Sequence, residues 1–323
     1  MAALTEVVAA RYAATSALAD ATAYRAQALW QMVDRAAIAA SWAALLPQVV
    51  ASVQASQLAA ASGAQSYVVG ALNAQGVDSS GAALNASAFA GAASDGRPLG
   101  SLLSAPAYTA LEGIKGGASV SRAMGAGLNQ LLLMSSTQVS DAGRVAGGVA
   151  IASRNTETGY IRMISSGACA RCAILAGKYY RWNAGFERHP RCKCFHVPAG
   201  RDSPASGKRT DPYEYFNSLS RADQDRLFGA ANSAAIKDGA DIYQVVNSQR
   251  GMNAAGMKTT EGTSKRGYYR GISGSKVRLT PEAIYKLNGN DRIAAMADLE
   301  KYGYILSTGQ VPGGSIKNGG GWR

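Results

Sequence analysis

All four cysteines and both histidines of this 323-residue chain fall in one 28-residue window, from Cys169 to His196. Their order is Cys169-x-x-Cys172, then sixteen residues to His189, and finally Cys192, Cys194 and His196. Thiolates and imidazoles at these spacings are the donors a tetrahedral zinc ion takes. The chain must turn back on itself within the window for such donors to converge, so the window is expected to form a compact knuckle. Six candidates compete for four places. Cys169, Cys172, Cys192 and Cys194 make an all-sulfur set, although the last two lie only two residues apart. Three cysteines with His189 make the other set, with Pro190 directing the chain after it. His196 is read as a supporting residue. A structural Zn2+ ion would contribute on the order of 10 kcal/mol to the folding of such a segment. Disulfides are the rival use of four cysteines, and a reducing compartment disfavours them.

The net charge of +12 is confined to one half of the chain. Residues 1–150 carry seven basic and seven acidic side chains, whereas residues 151–323 carry 26 and 14. Most of the excess lies in two blocks, 151–201 with nine basic against two acidic, and 250–278 with seven against one. Separated basic blocks point to an anionic partner, and a phosphate backbone leads the candidates. Arg162, Arg171, Arg181, Arg188, Arg191 and Lys193 are expected to form one basic face. Lys265, Arg266 and Arg270, interleaved with Tyr268 and Tyr269, are expected to form a second contact on an exposed arm. No recognition helix with base-reading side chains is evident, so double-stranded DNA would be bound without sequence specificity. Tyr179, Tyr180 and Trp182 are read as packing residues of the knuckle.

The fold class expected is mainly α. Residues 1–148 are Ala-rich and form a helical domain, with Ile38, Trp42, Leu45, Leu46, Val49 and Val53 at helical spacing. Pro47 within that stripe is expected to kink the helix or split it. Residues 76–101 are rich in glycine, serine and proline and read as a loop or hinge. The glycines between 113 and 148 weaken the next helical stretch, which tertiary packing must hold. Residues 149–200 form a small α+β knuckle domain. Residues 201–308 form a helical C-terminal region with the basic loop 250–278, and 309–323 a flexible tail. Asp211-Pro212, Ser220, Thr280-Pro281 and Asn290-Asp291 mark helix starts; Asp238-Gly239, Gly289 and Gly303 mark ends. No run approaches 18 consecutive apolar residues and the N-terminus lacks a signal pattern, so neither membrane spanning nor secretion is expected.

Two elements of the window carry a family resemblance. Cys169-Ala-Arg-Cys172-Ala-Ile-Leu-Ala-Gly-Lys and His189-Pro190-Arg191-Cys192-Lys193-Cys194 resemble the opening C-x-x-C-x-x-L-x-G and closing H-P-x-C-x-C motifs of the phage Mu F-like minor capsid (head morphogenesis) proteins, actinobacteriophage type. The resemblance covers residues 150–200, about a sixth of the chain. It implies a virion protein inside the capsid near the portal, present in the host cytoplasm during assembly. Its partners would be the portal protein and the major capsid or scaffold protein, and it would act on packaged DNA.

The same phage context raises a capsid maturation protease, acting on capsid or scaffold protein, as the alternative. The residues favour a non-enzymatic role. Both histidines sit inside the cysteine cluster, and no G-x-S-x-G, D-T-G, H-E-x-x-H or phosphate-loop motif occurs.

Overall fold

The computed structural model describes residues 2–154, 158–164, 167–184, 194–203, 211–263, 269 and 273–305. As expected, the protein is mainly helical with a small antiparallel sheet. It folds into two compact units, 1–163 with 177–209, and 164–176 with 210–323.

In the first unit, helices α1 (Ala2–Gln31), α2 (Ile38–Ser62), α3 (Ala64–Asn73), α4 (Leu99–Lys115) and α5 (Val120–Ala152) pack together. Trp42, Val49 and Val53 of the expected stripe are buried in their common core. Pro47 lies within α2 without ending it, so of the kink or split expected from the sequence the split does not occur. Packing of the flanking turns outweighs the one backbone hydrogen bond that proline removes. Two indole rings anchor the core: Trp30 and Trp42 meet edge to face at 4.9 Å between centroids. Each also directs its Nε1–H to a helix carbonyl, Trp30 to Met124 at 3.2 Å and Trp42 to Leu103 at 3.0 Å. Gly127 makes room for the first ring. A Cβ there would stand 2.6 Å from Trp30 and 2.7 Å from the Pro106 carbonyl oxygen.

By length and composition, the 36 residues 38–73 would suffice to cross a membrane, a feature missed by counting unbroken apolar runs. The stretch carries polar groups on its buried side. Ser56 accepts from Thr22 Oγ1 at 2.7 Å, and Gln57 donates to the Ala92 carbonyl at 2.9 Å and accepts from Gly91 N at 3.0 Å.

Strands β1 (Thr158–Ile164), β2 (Tyr179–Arg181) and β3 (Cys194–Gly200) form a sheet in the order β2-β1-β3. β1 and β2 are antiparallel, with Tyr160 opposite Tyr180. Three short strands cannot bury a face by themselves, so the sheet packs on the helices. Ile161, Val197 and Ala199 cluster with Leu4 and Ala71, and Tyr160 packs with Val68, Leu72 and Ile151. Tyr67 donates to the His196 carbonyl at 2.6 Å and Gln75 to the Pro198 carbonyl at 2.7 Å. Residues of the expected 149–200 knuckle domain fall in both compact units. Its strands join the helical unit, while 164–176 belongs to the second unit.

The second unit contains α6 (Ala170–Leu175), α7 (Pro212–Ser218), α8 (Arg221–Phe228), α9 (Ala230–Lys237) and α10 (Ile242–Ser248). It also contains a two-stranded ribbon of β4 (Lys258–Thr259) and β5 (Arg278–Leu279), then α11 (Pro281–Asn288) and α12 (Arg292–Lys301). The caps expected from sequence are formed: Asp211, Ser220, Thr280 and Asp291 each accept a backbone N–H in the first turn. Asp241 caps α10, a start the sequence reading did not identify. The helix expected from Ser220 to Asp238-Gly239 is two helices, because Gly229 at φ 90° breaks it. Such a φ favours glycine. Phe216, Phe228, Ile242, Val246, Ile284, Leu299 and Tyr304 form the core.

The glycines of α5 separate two effects that substitution can read out. Gly127→Ala drives a methyl group into Trp30 and is expected to destabilise the protein by about 1–3 kcal/mol. Gly148 has no neighbouring heavy atom at its Cβ position. Gly148→Ala should therefore stabilise by up to about 1 kcal/mol through helix propensity. Denaturant midpoints of the two variants against the parent chain measure both; an unchanged or raised midpoint in Gly127→Ala would contradict the packing there.

Candidate metal and nucleic-acid sites

The opening cysteine pair is built on the first turn of α6. Cys169 is the N-cap residue, in extended backbone at φ −70° and ψ 162°, and Cys172 lies three residues on. A separation of three places both residues on one face of a helical turn. Cys169 is half-buried and Cys172 wholly buried. Tyr215 packs beside them and donates to the Ala168 carbonyl at 2.8 Å. Its phenol is held above the usual range, first by burial and in smaller part by the two neighbouring sulfurs. α6 stops at Leu175, and Gly177 takes φ 72°. The Gly177 N–H then donates to the Arg162 carbonyl at 2.7 Å, returning the chain toward β2. The L-x-G element of the motif is thus a helix stop followed by a left-handed turn, for which glycine is the ordinary residue.

Cys194 opens β3 and is buried, and His196 stacks on Tyr160 at 4.2 Å between ring centroids. Tyr160 stacks in turn on Tyr180 at 5.3 Å. Cys169, Cys172 and Cys194 form no disulfide. His189 and Cys192 lie outside the described residues. Among the described residues, no three His, Cys, Asp or Glu side chains converge as a metal site. The donor chemistry of Cys169 and Cys172 fits one half of a zinc site.

The nine basic residues expected to meet DNA divide four ways. Arg181 is exposed at the end of β2, beside Trp182, which is 44% exposed. Trp182 is therefore not the packing residue expected, unlike Tyr180. Arg171 is half-buried and donates to Asn247 Oδ1. Arg162 is only 1% exposed and is withdrawn from the expected basic face. It lies in the central strand of the sheet, where residues 158–162 are all buried, so both faces of the strand are covered. Arg188, Arg191, Lys193, Lys265, Arg266 and Arg270 lie outside the described residues.

Within the expected exposed arm 250–278, several side chains are anchored instead. Thr259, Thr263 and Tyr269 are buried, and Tyr269 lies 5.9 Å from the Tyr302 ring. The anchor is Arg278, 1% exposed, a residue the sequence reading did not single out. Its guanidinium donates to the Glu261 carbonyl at 2.8 Å, the Tyr302 carbonyl at 3.1 Å and Gln244 Oε1 at 3.0 Å. It also lies over the Tyr304 ring at 4.2 Å. Burial pulls its pKa below the usual arginine value. Its place one turn before a capped helix carries no charge pattern that could have distinguished it.

A cavity of about 80 Å³ lies in the first unit between α1, α3, α5 and β3. Its polar lining includes Arg11, Tyr12, Ser16, Tyr67, Ser140 and Arg144 together with Cys194 and His196 of β3, and Val8, Ile151 and Phe195 are among its apolar lining. Arg11 donates to the Ala60 carbonyl at 2.7 Å and the Gly143 carbonyl at 3.2 Å. Burial lowers its pKa and pushes the phenol of Tyr67 well above its ordinary range.

No protein-family model, curated protein or solved structure matches this chain.

Replacing Arg278 with Met removes the donors of the Glu261 and Tyr302 carbonyls and of Gln244 Oε1, at a cost of about 1–3 kcal/mol for each group left unsatisfied. Arg226 pairs with Asp223 at 2.7 Å on the surface. Arg226→Met is expected to change stability by less than about 1 kcal/mol. Chemical denaturation of the two variants gives the comparison; equal losses would show that Arg278 is no anchor.

Proposed function

We propose that this protein is a phage minor capsid protein of the Mu F-like type, associating with the portal inside the head during assembly and binding DNA without sequence preference. The observation that carries the reading is the opening motif: each of its four distinctive residues has a separate local role. Cys169 stands in extended backbone just before α6, Cys172 is buried within it, Leu175 ends it, and Gly177 takes the left-handed turn to β2. A chance C-x-x-C would not need the L-x-G that follows. The charge distribution supports the same reading, since the entire basic excess lies in the half that contains the motif. Arg181, exposed next to Trp182, pairs a cation with an aromatic face of the kind that meets a phosphate backbone and stacks on bases.

Zinc enters this reading as a structural ion. Cys169 and Cys172 supply two thiolates, and the closing H-P-x-C-x-C motif would supply the rest. Its contribution would be folding free energy rather than chemistry.

Co-expression with the cognate portal protein tests the assembly role, with co-purification of portal or procapsid expected. For DNA, the expected outcome is a mobility shift of duplexes of unrelated sequence, with log affinity falling linearly against log salt. Arg181→Ala should reduce that slope by roughly one phosphate contact. No shift at low salt would remove the DNA-binding part. For the metal, purified protein should hold about one equivalent of zinc, lost in Cys172→Ser; less than about a tenth of an equivalent in folded parent protein would remove zinc from the reading.

A further inference from the structure

Arg11 projects from α1 to the carbonyls of α2 and α5. Its guanidinium is half-buried, and among the described residues it pairs with no carboxylate. Arg278 is likewise bound to carbonyl oxygens, but aromatic and backbone groups enclose it. Arg11 instead borders the cavity between α1, α5 and β3. Buried charges are ordinarily paired. A cation without a counter-ion beside a partly open cavity therefore favours an anion entering that cavity.

The rest of the lining fits a particular kind of anion. Arg144 brings a second guanidinium, whose Nη1 is engaged by Asp141 at 2.9 Å. Ser16 and Ser140 bring hydroxyl groups from facing helices. Together these donors suit the oxygens of a carboxylate or phosphate. Across from them, Val8, Ile151 and Phe195 form an apolar wall, with Phe195 and Tyr12 at 5.4 Å between ring centroids. An inorganic ion would leave that wall without a partner, and a neutral hydrocarbon would leave Arg11 without a counter-ion.

We propose that this cavity is a binding site for a small amphipathic organic anion, with its carboxylate or phosphate toward Arg11 and Arg144 and its apolar body toward Phe195. The site is independent of the portal and DNA roles proposed above. A larger groove of about 840 Å³ shares Tyr12, Ser16, Ser140 and Arg144 and continues along α1 and α5 past Asp20 and Tyr24. It gives the ligand a path of entry.

Titration of the full chain with benzoate, phenyl phosphate, benzyl alcohol and inorganic phosphate, followed by amide NMR shifts, tests the proposal. Saturable shifts at Gly143 and Gly147 are expected with benzoate, phenyl phosphate or both, and the stronger of the two identifies the head group. Benzyl alcohol and inorganic phosphate should each bind at least about tenfold more weakly. Arg144→Gln should weaken the anion by about fivefold or more and leave benzyl alcohol unchanged. Ser140→Ala, which spares the Asp141 pair, should weaken it in the same direction. No saturable shift with either organic anion, equal binding of benzyl alcohol, or unchanged affinity in both variants would overturn the proposal.

Discussion

Within each of the two units, guanidinium groups donated to distant carbonyl oxygens join elements far apart in sequence. Arg11 joins three helices of the first unit through Ala60 and Gly143. Arg154, at the end of α5, reaches the Ser79 carbonyl at 3.0 Å and ties the loop after α3 to the bundle. Arg278 does the same for the second unit through Glu261, Tyr302 and Gln244. None of the three forms an ion pair among the described residues. Carbonyl oxygens compensate a buried cation only partly, but a planar fork of donors can satisfy several at once. Elements far apart in sequence are thereby fixed without disulfides.

The same logic explains why the helices of the first unit can be so poor in large side chains. An Ala- and Gly-rich bundle buries little apolar area per residue, so close approach has to replace side-chain volume. Gly127 under Trp30 shows this directly, and the edge-to-face pair Trp30–Trp42 supplies the bulk the alanines lack. The three-stranded sheet then borrows its core from α3 and α5, with Tyr67 and Gln75 binding β3 through its carbonyls. One consequence reaches the functional window. Its strands are stabilised by the helical unit, while its first cysteine pair sits on α6 of the other unit.

Much of this organisation is readable from residue order because it depends on neighbours. The N-caps at Asp211, Ser220, Thr280 and Asp291, the stop at Gly289, the stripe through Trp42 and Val53, and the strand pattern around Tyr160 and Tyr180 all follow from spacing of a few residues. The cysteine and histidine window and the two basic blocks are likewise features of the sequence alone, as is the mainly helical fold class. The limits of that reading were physical. Pro47 carries a local signal to break a helix, and packing overrode it. Gly229 carries an equally local signal to break one, but strong flanking helix formers masked it.

What residue order could not determine is which charges face water. Arg162 and Arg181 lie on neighbouring strands, yet one is in the core and the other is exposed. Arg278 looks like part of a basic arm and is instead the centre of a core. Nor could it show that Arg11 borders a cavity whose opposite wall comes from Phe195, more than 180 residues away. The sequence by itself determined the helical class, the caps and the clustering of thiols, imidazoles and charge, since each arises from local backbone chemistry or composition. Only the tertiary structure decided the division into two units, the burial of three arginines and the cavity, because burial depends on contacts between segments that no local pattern encodes.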